Sequence, residues 1–335
     1  MRTAIFGFNG AGKSELFAAL AGASAPRGNR AVVKVPEPRL KPLADLFKPK
    51  KITHAEIEYL DVPGGGKAQS LGERVLNEIR TCDCLLAVLD GFSGVSAPKD
   101  QYKAIEADLV ISDMAVVEKR LERIKVDKKK IKDLVNPKEE EALLQAMEVL
   151  EAGQPLRRDP DLANAPELRG FALLSAKPIL CAWNLEESKV SGFTRPEDAP
   201  GESHVAVSAK LERELIEIED PNERALFLAD LGLGESARDR VIAGTYKLLG
   251  LITFLTAGEK DVRAWTIKRG SKAQEAAGAI HSDIQKGFIR AEVLGWEDFE
   301  KAKDFKRAKD LGLLRLEGKG YPVQDGDIIE FRFNL

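Results

Sequence analysis

The residues best suited to chemistry stand near the start of the chain, in the run Gly7-Phe8-Asn9-Gly10-Ala11-Gly12-Lys13-Ser14. This run fits the pattern G-x-x-x-x-G-K-S/T at every position. Its glycines let the backbone wrap so that successive N–H groups point at phosphate oxygens. Lys13 has the length and charge to reach β- and γ-phosphates, and the Ser14 hydroxyl is suited to bind Mg²⁺. The run predicts a nucleotide phosphate site made by Asn9, Gly10, Ala11, Gly12, Lys13 and Ser14.

A second motif, Asp61-Val62-Pro63-Gly64, follows the apolar run 57–60. At the end of a strand beside a phosphate loop, we expect Asp61 to hold Mg²⁺ through water and the Gly64 N–H to meet the γ-phosphate. The candidate catalytic residues are therefore Lys13, Asp61 and Gly64, and the candidate metal ligands are Ser14 and Asp61. The next residues, 65–67, are expected to form a mobile segment that orders around the nucleotide.

Recognition of the base is expected in two later loops. One is Asn184-Leu185-Glu186-Glu187 and the other is Ser208-Ala209-Lys210. A guanine-specific loop usually reads N-K-x-D, and its aspartate accepts hydrogen bonds from guanine N1 and N2. Here Leu185 replaces the lysine, and Glu187 is longer than the aspartate, which puts its carboxylate out of register. We expect weaker discrimination for guanine, with ATP or GTP as the ligand; a polar loop without base contact is the alternative.

The elements that must position these loops alternate along the chain. A short apolar run, the glycine loop and a helix with Leu16, Phe17 and Leu20 on one face come first. Further apolar runs follow, and several precede helical patterns. This alternation predicts an α/β domain with a parallel sheet covered by helices on both faces. The strand-like runs are 2–6, 57–60, 85–89, 179–183 and 205–207.

The middle of the chain has helical spacing. A long amphipathic helix is predicted from Met114, Val117, Leu121, Ile124, Ile131 and Val135, with Lys128 interrupting the seam. Asn136-Pro137 breaks it, and apolar spacing resumes at Leu143, which predicts an inserted helical hairpin. Basic residues cluster near its tip and are a candidate RNA contact. The alternative is a solvated helix face, because Glu122 and Asp127 are interleaved with them. The basic residues are Arg120, Arg123, Lys125, Lys128, Lys129, Lys130 and Lys132.

The last third of the chain is predicted to be a separate module. Residues 220–249 read as helical, and 272–280 as a small alanine-rich helix. Four strand-like runs accompany that small helix, which predicts a compact α+β fold. The runs are 251–256, 262–267, 288–293 and 328–333. The expected domains are 1–97 with 170–250, an inserted helical domain over 98–169, and a C-terminal domain over 251–335.

Composition limits the class of protein. The 335 residues suggest two or three domains, and 51 Lys plus Arg against 54 Asp plus Glu give a net charge of −3. This balance provides no global attraction to nucleic acid or membrane, so any RNA contact must be local. Cys82, Cys84 and Cys181 lie in or beside apolar runs, as expected of buried thiols in a reducing compartment. No apolar stretch of about 18 residues occurs, and we expect a cytoplasmic protein.

With these motifs in hand, the chain resembles the YchF subfamily of Obg-like P-loop NTPases. The resemblance rests on Asn9–Ser14, the Asn184–Glu187 loop and Lys119–Arg123 in the hairpin. It is most specific near the C-terminus, where several segments look like the TGS domain of that family. These segments are Tyr246–Phe254, Thr256–Gly258, Arg263–Ile267, Ala276–His281, Gly287–Val293, Val323–Asp327 and Phe331–Asn334.

The resemblance implies a G domain, an inserted coiled-coil domain and a C-terminal TGS domain. It also implies that ATP is bound as well as or better than GTP, with backbone contact from Leu185 to adenine and Mg²⁺ as the cofactor. Association with ribosomes or RNA through the hairpin tip and the TGS domain is implied, together with regulation of translation or stress. We expect a monomer.

Departures from the family pattern bear on catalysis. The segment Ala23–Arg30 has no threonine to complete a Mg²⁺ shell, and Gly65 stands where the family has a hydrophobic residue. The loop Asp90–Gly94 is short and lacks a histidine. We therefore identify no general base or water-positioning residue from the sequence, and we expect slow hydrolysis. The rival hypothesis is a non-hydrolysing, nucleotide-gated scaffold for RNA or the ribosome.

Overall fold

The computed structural model of the protein describes residues 1–22, 28–64, 70–130, 136–218 and 220–334. Its contacts divide the chain into two compact units. The first unit contains Met1–Val33 and Ile57–Leu248, and the second contains Lys34–Glu56 and Leu249–Leu335. Strands and helices are numbered below in chain order across both units.

A six-stranded sheet forms the centre of the first unit, in the order β2-β4-β1-β5-β6-β7. Its strands are β1 (Arg2–Phe6), β2 (Arg30–Lys34), β4 (Glu56–Asp61), β5 (Cys84–Asp90), β6 (Ile179–Asn184) and β7 (Glu202–Val207). The pairs β1–β4, β1–β5, β5–β6 and β6–β7 are parallel. The five runs expected to be strands are confirmed. Edge strand β2 buries only Ala31 and Val33.

Helices cover both faces of this sheet. They are α1 (Lys13–Ala21), α3 (Glu73–Ile79), α4 (Pro98–Lys130), α5 (Pro137–Glu151), α6 (Pro160–Ala163), α7 (Glu187–Val190), α8 (Ala209–Glu217), α9 (Pro221–Asp230) and α10 (Ala237–Leu248). Successive strand residues point to opposite faces. Helices α3 and α4 pack on the face that carries Ile179 and Cys181, whereas Gly244 of α10 packs on Leu180.

One sequence prediction for this unit needs correction. Residues 220–249 were expected to be helical, but the structure has two helices, α9 and α10, separated by the turn 231–236. Gly232 in that turn has a φ of 70°, a left-handed conformation that ends a helix and that glycine adopts without strain. The turn was not predicted because the residues on both sides of it have helical spacing.

The helical hairpin predicted in the middle of the chain is present as two packed helices. Val117, Leu121 and Ile124 of α4 share a buried cluster with Leu143 and Leu150 of α5. The side-chain oxygen of Asn136 accepts a hydrogen bond from the Lys138 N–H at 3.1 Å and caps α5. Two residues of the predicted seam, Ile131 and Val135, lie outside the described residues.

The second unit is built on another six-stranded sheet, in the order β11-β10-β12-β8-β9-β3. Its strands are β3 (Lys51–Thr53), β8 (Leu251–Ala257), β9 (Asp261–Lys268), β10 (Phe288–Leu294), β11 (Arg315–Glu317) and β12 (Ile328–Phe333). Its helices are α2 (Leu40–Phe47), α11 (Ala273–Ile280), α12 (Ser282–Lys286), α13 (Trp296–Ala302) and α14 (Phe305–Asp310). The four strand-like runs and the alanine-rich helix expected here are confirmed.

The boundary of this unit differs from the sequence prediction, which placed residues 34–56 in the first domain. In the structure these residues group with the C-terminal part of the chain. Strand β3 pairs in parallel with β9, and Arg39 donates a hydrogen bond to the Asp325 carboxylate at 2.9 Å. Such pairing over a long chain separation leaves no periodic signal in the sequence. The separate helical domain over 98–169 remains a prediction.

The structure also describes the environment of the cysteines and the apolar character of the helices. All three cysteines are buried free thiols. Throughout the described ranges, no helix combines the length and the apolar composition that crossing a membrane requires.

Candidate functional site

The predicted site residues meet in a cavity of about 860 Å³ at the carboxyl ends of the parallel strands. Open parallel sheets bind ligands at this edge, where the connections from the central strand diverge. The predicted residues that line the cavity are Asn9, Gly10, Gly12, Lys13, Ser14, Gly64, Asn184, Leu185, Glu187, Ser208, Ala209 and Lys210. Ala11 and Asp61 lie beside the lining residues and contact them through hydrogen bonds.

Glycine is required at several points of the loop between β1 and α1. A Cβ on Gly7 would overlap the carbonyl oxygen of Val88, so the loop can pass β5 only with a glycine there. Gly10 and Gly12 have φ angles of 83° and 86°, in the left-handed region that favours glycine. Helix α1 begins at Lys13, immediately after this turn, so its N-terminal N–H groups face the cavity.

Lys13 is positioned by the loop that precedes it. Its side chain is buried, and its Nζ donates a hydrogen bond to the Phe8 carbonyl oxygen at 2.7 Å. Burial lowers the pKa of Lys13, and the nearby carboxylates of Asp61 and Glu15 oppose that shift. A bound phosphate would oppose it further, because a negative charge favours the ammonium form.

Ser14 and Asp61 form the pair expected to bind a metal ion. The Ser14 hydroxyl donates to Asp61 Oδ2 at 3.3 Å, while Asp61 Oδ1 is buried without a hydrogen-bond partner in the described chain. Burial raises the pKa of Asp61, opposed by Ser14 and Lys13. A hydroxyl beside an unpaired carboxylate oxygen fits Mg²⁺, which typically takes one or two carboxylates together with phosphates and water. The described residues hold no cluster of three or more His, Cys, Asp or Glu side chains for a metal, and this type of site needs none.

Gly64 approaches the phosphate loop from the end of β4. A Cβ at this position would overlap the side-chain oxygen of Asn9 and come within 2.9 Å of Lys13 Nζ. The Gly64 backbone, the Asn9 amide and the Lys13 ammonium therefore share one end of the cavity. Residues 65–67, expected to form a mobile segment, lie outside the described residues.

Asn184 braces the opposite end of the cavity. Its Nδ2 donates to the Ala11 carbonyl oxygen at 2.9 Å, and its Oδ1 accepts from the Ala209 N–H at 3.0 Å. The side chain is buried and holds the phosphate loop against the start of α8. Ser208 caps α8, with its hydroxyl accepting from the Leu211 N–H at 3.4 Å. Although predicted to bind nucleotide, the Asn184 amide is already engaged within the protein.

Leu185 and Glu187 follow Asn184 along the cavity wall. The Leu185 N–H donates to the Val207 carbonyl oxygen at 2.8 Å, so only its carbonyl oxygen is left for a backbone contact with a base. Glu187 is the first residue of α7. The assignment of these residues to base recognition stays a prediction.

The cavity residues that were missed from the sequence include Phe92 and Arg213. Phe92 follows β5 in a loop that Asp90 shapes, because Asp90 Oδ1 accepts from the N–H groups of Phe92 and Ser93 at 3.1 and 2.9 Å. Arg213 lies one turn beyond Ala209 on α8. Both could have been found, since Phe92 lies just after the end of parallel strand β5 and Arg213 is four residues from a predicted contact.

The basic tip of the hairpin is partly neutralised. Arg120 pairs with Glu139 at 2.6 Å, and Lys128 pairs with Glu140. Arg123 lies 3.8 Å from Asp127. Within the described ranges, exposed Lys125 and Lys129 form no ion pair. Lys132 and the side chain of Lys130 are outside the described part of the chain.

The first strand of the parallel sheet runs through a glycine loop into a helix, and a buried lysine lies beside a serine–aspartate pair. This combination defines a P-loop nucleotide-binding protein. Residues 2–136 match a family model described as "50S ribosome-binding GTPase". Residues 251–334 match the YchF-GTPase C-terminal family model, described as a protein of unknown function.

Full-length relatives define the family. The chain is 39% identical to "Ribosome-binding ATPase YchF" of Bacillus subtilis, covering 99% of this chain and 98% of that protein. It is 35% identical to the protein of the same name from Escherichia coli O157:H7, at the same coverage. The solved "Structure of the Schizosaccharomyces pombe YchF GTPase" matches with a TM-score of 0.86 and 26% identity, over 99% of this chain and 97% of that one. The chain belongs to the YchF family.

The alignment also shows that this chain is shorter than a bacterial relative. It spans 363 positions, more than the 335 residues present here, so the Bacillus subtilis protein has residues without a counterpart in this chain.

Proposed function

We propose that this protein is a Mg²⁺-dependent nucleoside triphosphatase that binds ATP, and less favourably GTP, and hydrolyses it slowly. The observation that carries the proposal is the convergence of Lys13, the Ser14–Asp61 pair and Gly64 at one end of a single cavity. Phosphoryl transfer depends mainly on positioning and on neutralising charge, and these groups are suited to both tasks.

Each group has a definite role in this proposal. The Lys13 ammonium contacts the β- and γ-phosphates, and the Gly64 N–H donates to a γ-phosphate oxygen. The Ser14 hydroxyl and the Asp61 carboxylate hold Mg²⁺, which supplies further charge neutralisation when bound. Asn184 keeps the phosphate loop and α8 at a fixed separation, so that the base and the phosphates are bound together.

The base preference rests on the loop after β6. Leu185 and Glu187 stand where a guanine-specific loop has lysine and aspartate, and adenine lacks the N1 hydrogen and N2 amine that such an aspartate recognises. The names of the relatives differ in the nucleotide they indicate, since the bacterial proteins are called ATPases and the Schizosaccharomyces pombe protein a GTPase. The proposal of ATP therefore depends on a direct comparison of the two nucleotides.

Slow turnover follows from the sequence around the phosphate end. Residues 23–30 contain no threonine to complete a Mg²⁺ shell, and the loop after β5 contains no histidine. The site is therefore better suited to binding a nucleotide than to hydrolysing it rapidly.

We propose ribosomal RNA as the macromolecular partner, contacted through the hairpin tip and a C-terminal unit of the TGS type. The relatives carry ribosome binding in their names, and exposed Lys125 and Lys129 offer cations with no carboxylate partner in the described chain. Phosphate contacts by such lysines are sensitive to salt. In this proposal a cytoplasmic monomer regulates translation or a stress response according to its bound nucleotide.

The first experiment measures binding and turnover together. Isothermal titration with ATP, GTP and a non-hydrolysable ATP analogue in Mg²⁺ gives the affinities, and phosphate release is followed for wild type and Lys13→Ala. Tighter binding of ATP with slow release that Lys13→Ala abolishes is the expected result. Binding without release would favour the non-hydrolysing scaffold, and selective binding of GTP would overturn the base assignment.

The partner is tested by cosedimentation with purified bacterial ribosomes. The double variant Lys125→Gln with Lys129→Gln is expected to bind more weakly, with a reduced dependence on salt. Lys128→Gln is the matched control, because Lys128 already pairs with Glu140. Equal losses in the double variant and the control would contradict the assignment of the tip.

A further inference from the structure

We propose that the side-chain amide of Asn9 positions the water that attacks the γ-phosphate. The inference rests on the proposed function, since it assigns a role within nucleotide hydrolysis. It also replaces the conclusion from sequence that the chain has no water-positioning residue.

The first argument is where the Asn9 side chain lies. A Cβ built on Gly64 would overlap the Asn9 side-chain oxygen and lie 3.2 Å from its Cγ. The same Cβ would be 2.9 Å from Lys13 Nζ. The Asn9 amide and the Lys13 ammonium therefore both lie close to Gly64, at the part of the cavity where the γ-phosphate is expected.

The second argument is that the Asn9 amide is uncommitted. It is exposed, and it makes no hydrogen bond with the described part of the chain. Two neighbouring donors are engaged within the protein: Ser14 donates to Asp61, and Lys13 donates to the Phe8 carbonyl oxygen. An amide has both an acceptor and two donors, so it can accept from a water molecule and donate to a phosphate oxygen at once.

The chemistry assigned to Asn9 balances without a charged base. The water oxygen forms a bond to the γ-phosphorus while the bond from that phosphorus to the β–γ bridging oxygen breaks. The electron pair leaves with the nucleoside diphosphate, and the proton of the water passes to a γ-phosphate oxygen. The amide stays neutral and only fixes the orientation of the water, which is the contribution that phosphoryl transfer needs most.

The position of Asn9 also explains why sequence reasoning overlooked it. A water-positioning group is usually sought directly after the D-x-x-G motif, where this chain has Gly65. Asn9 belongs instead to the phosphate loop and reaches the same space from the other side. Only the approach of Gly64 to that loop brings the amide next to the expected γ-phosphate.

The test compares turnover and affinity in three full-length proteins: wild type, Asn9→Ala and Asn9→Leu. Phosphate release at saturating ATP gives kcat, and titration with a non-hydrolysable ATP analogue gives Kd. For both Asn9 variants we expect kcat to fall by about 10- to 100-fold, with Kd unchanged within about threefold, as for loss of a group that orients the reactants. Agreement between Ala and Leu would show that hydrogen bonding, and not side-chain volume, is responsible.

The opposing outcomes are distinct. Unchanged kcat in the Asn9 variants would overturn the assignment while leaving the proposed function intact. Equal losses in kcat and affinity would also overturn it, since they indicate a collapsed loop. Wild-type protein that binds ATP but releases no phosphate above the Lys13→Ala background would overturn both the proposed function and this inference.

Discussion

The two ends of the cavity differ in how their polar groups are used. At the base end, Asn184 satisfies both halves of its amide within the protein, and Ser208 is occupied in capping α8. At the phosphate end, the Asn9 amide and Asp61 Oδ1 have no partner in the described residues. Two asparagines on one cavity therefore have opposite roles, one as a brace and one as a free group.

The groups that are hydrogen-bonded within the protein form the framework of the site, whereas the unpaired groups are available for its chemistry. Hydrogen bonds already formed within the protein hold the walls in place, so little ordering remains when a ligand binds. A buried unpaired atom such as Asp61 Oδ1 carries a cost in the free protein that a metal ion or a water molecule removes. We therefore expect changes at the base end to affect stability and affinity, and changes at the phosphate end to affect turnover.

The largest effect is expected from Gly64→Ala. The added methyl group would displace the Asn9 amide and the Lys13 ammonium, both ends of side chains that can move without unfolding the protein. We expect phosphate release to fall by about 100-fold or more, as when a group that stabilises the transition state is lost. Binding of ADP should fall less than turnover, because ADP lacks the γ-phosphate beside Gly64 and loses only the contact of the displaced Lys13 with its β-phosphate. Undiminished turnover would contradict the placement of the γ-phosphate beside Gly64.

An intermediate effect is expected from Asn184→Ala. This change leaves the Ala11 carbonyl oxygen and the Ala209 N–H without their buried partner, which costs about 1–3 kcal/mol of unfolding free energy. Urea denaturation measures this loss, and titration should show weaker binding of ATP and ADP alike. Asn9→Ala is the matched control, expected to change stability by less than about 0.5 kcal/mol because its amide is exposed. Equal destabilisation by the two changes would contradict the assignment of Asn184 as a structural brace and Asn9 as a group without a structural role.

The smallest effect is a pH dependence of stability that comes from Asp61. Burial raises its pKa above the ordinary value of 3.8, so the folded protein binds this proton more tightly than the unfolded chain. Stability of the ligand-free protein should therefore fall as pH rises from that ordinary value through the raised pKa. Asp61→Asn lacks this dependence, so its stability relative to wild type should increase over the same window. The difference in unfolding free energy between the two proteins, measured without Mg²⁺ or nucleotide, tests the sign.

Mg²⁺ with nucleotide should stabilise wild type more than Asp61→Asn. Wild type should gain thermal stability from the complex, because the Asp61 carboxylate then has a cation partner. Asp61→Asn should gain less. An equal gain in both proteins would argue against Asp61 as a metal ligand.

The parts of the site that are local in the chain are predictable from the sequence alone. The phosphate loop is recognisable because a strand, left-handed glycines and a helix N-terminus must follow one another within a few residues. The five parallel strands and the packed helical hairpin were predictable because apolar spacing directly reports which residues are buried.

The contacts between segments that are distant in the chain could be identified only from the three-dimensional fold. Residues 34–56 join the second unit through the pairing of β3 with β9, and Asn184 braces the phosphate loop far from it in the chain. The approach of Gly64 to Asn9 likewise depends on β4 lying beside β1. Hydrogen bonds between distant residues impose no spacing on the sequence, so an exposed and a bracing asparagine look alike until the fold brings their partners together.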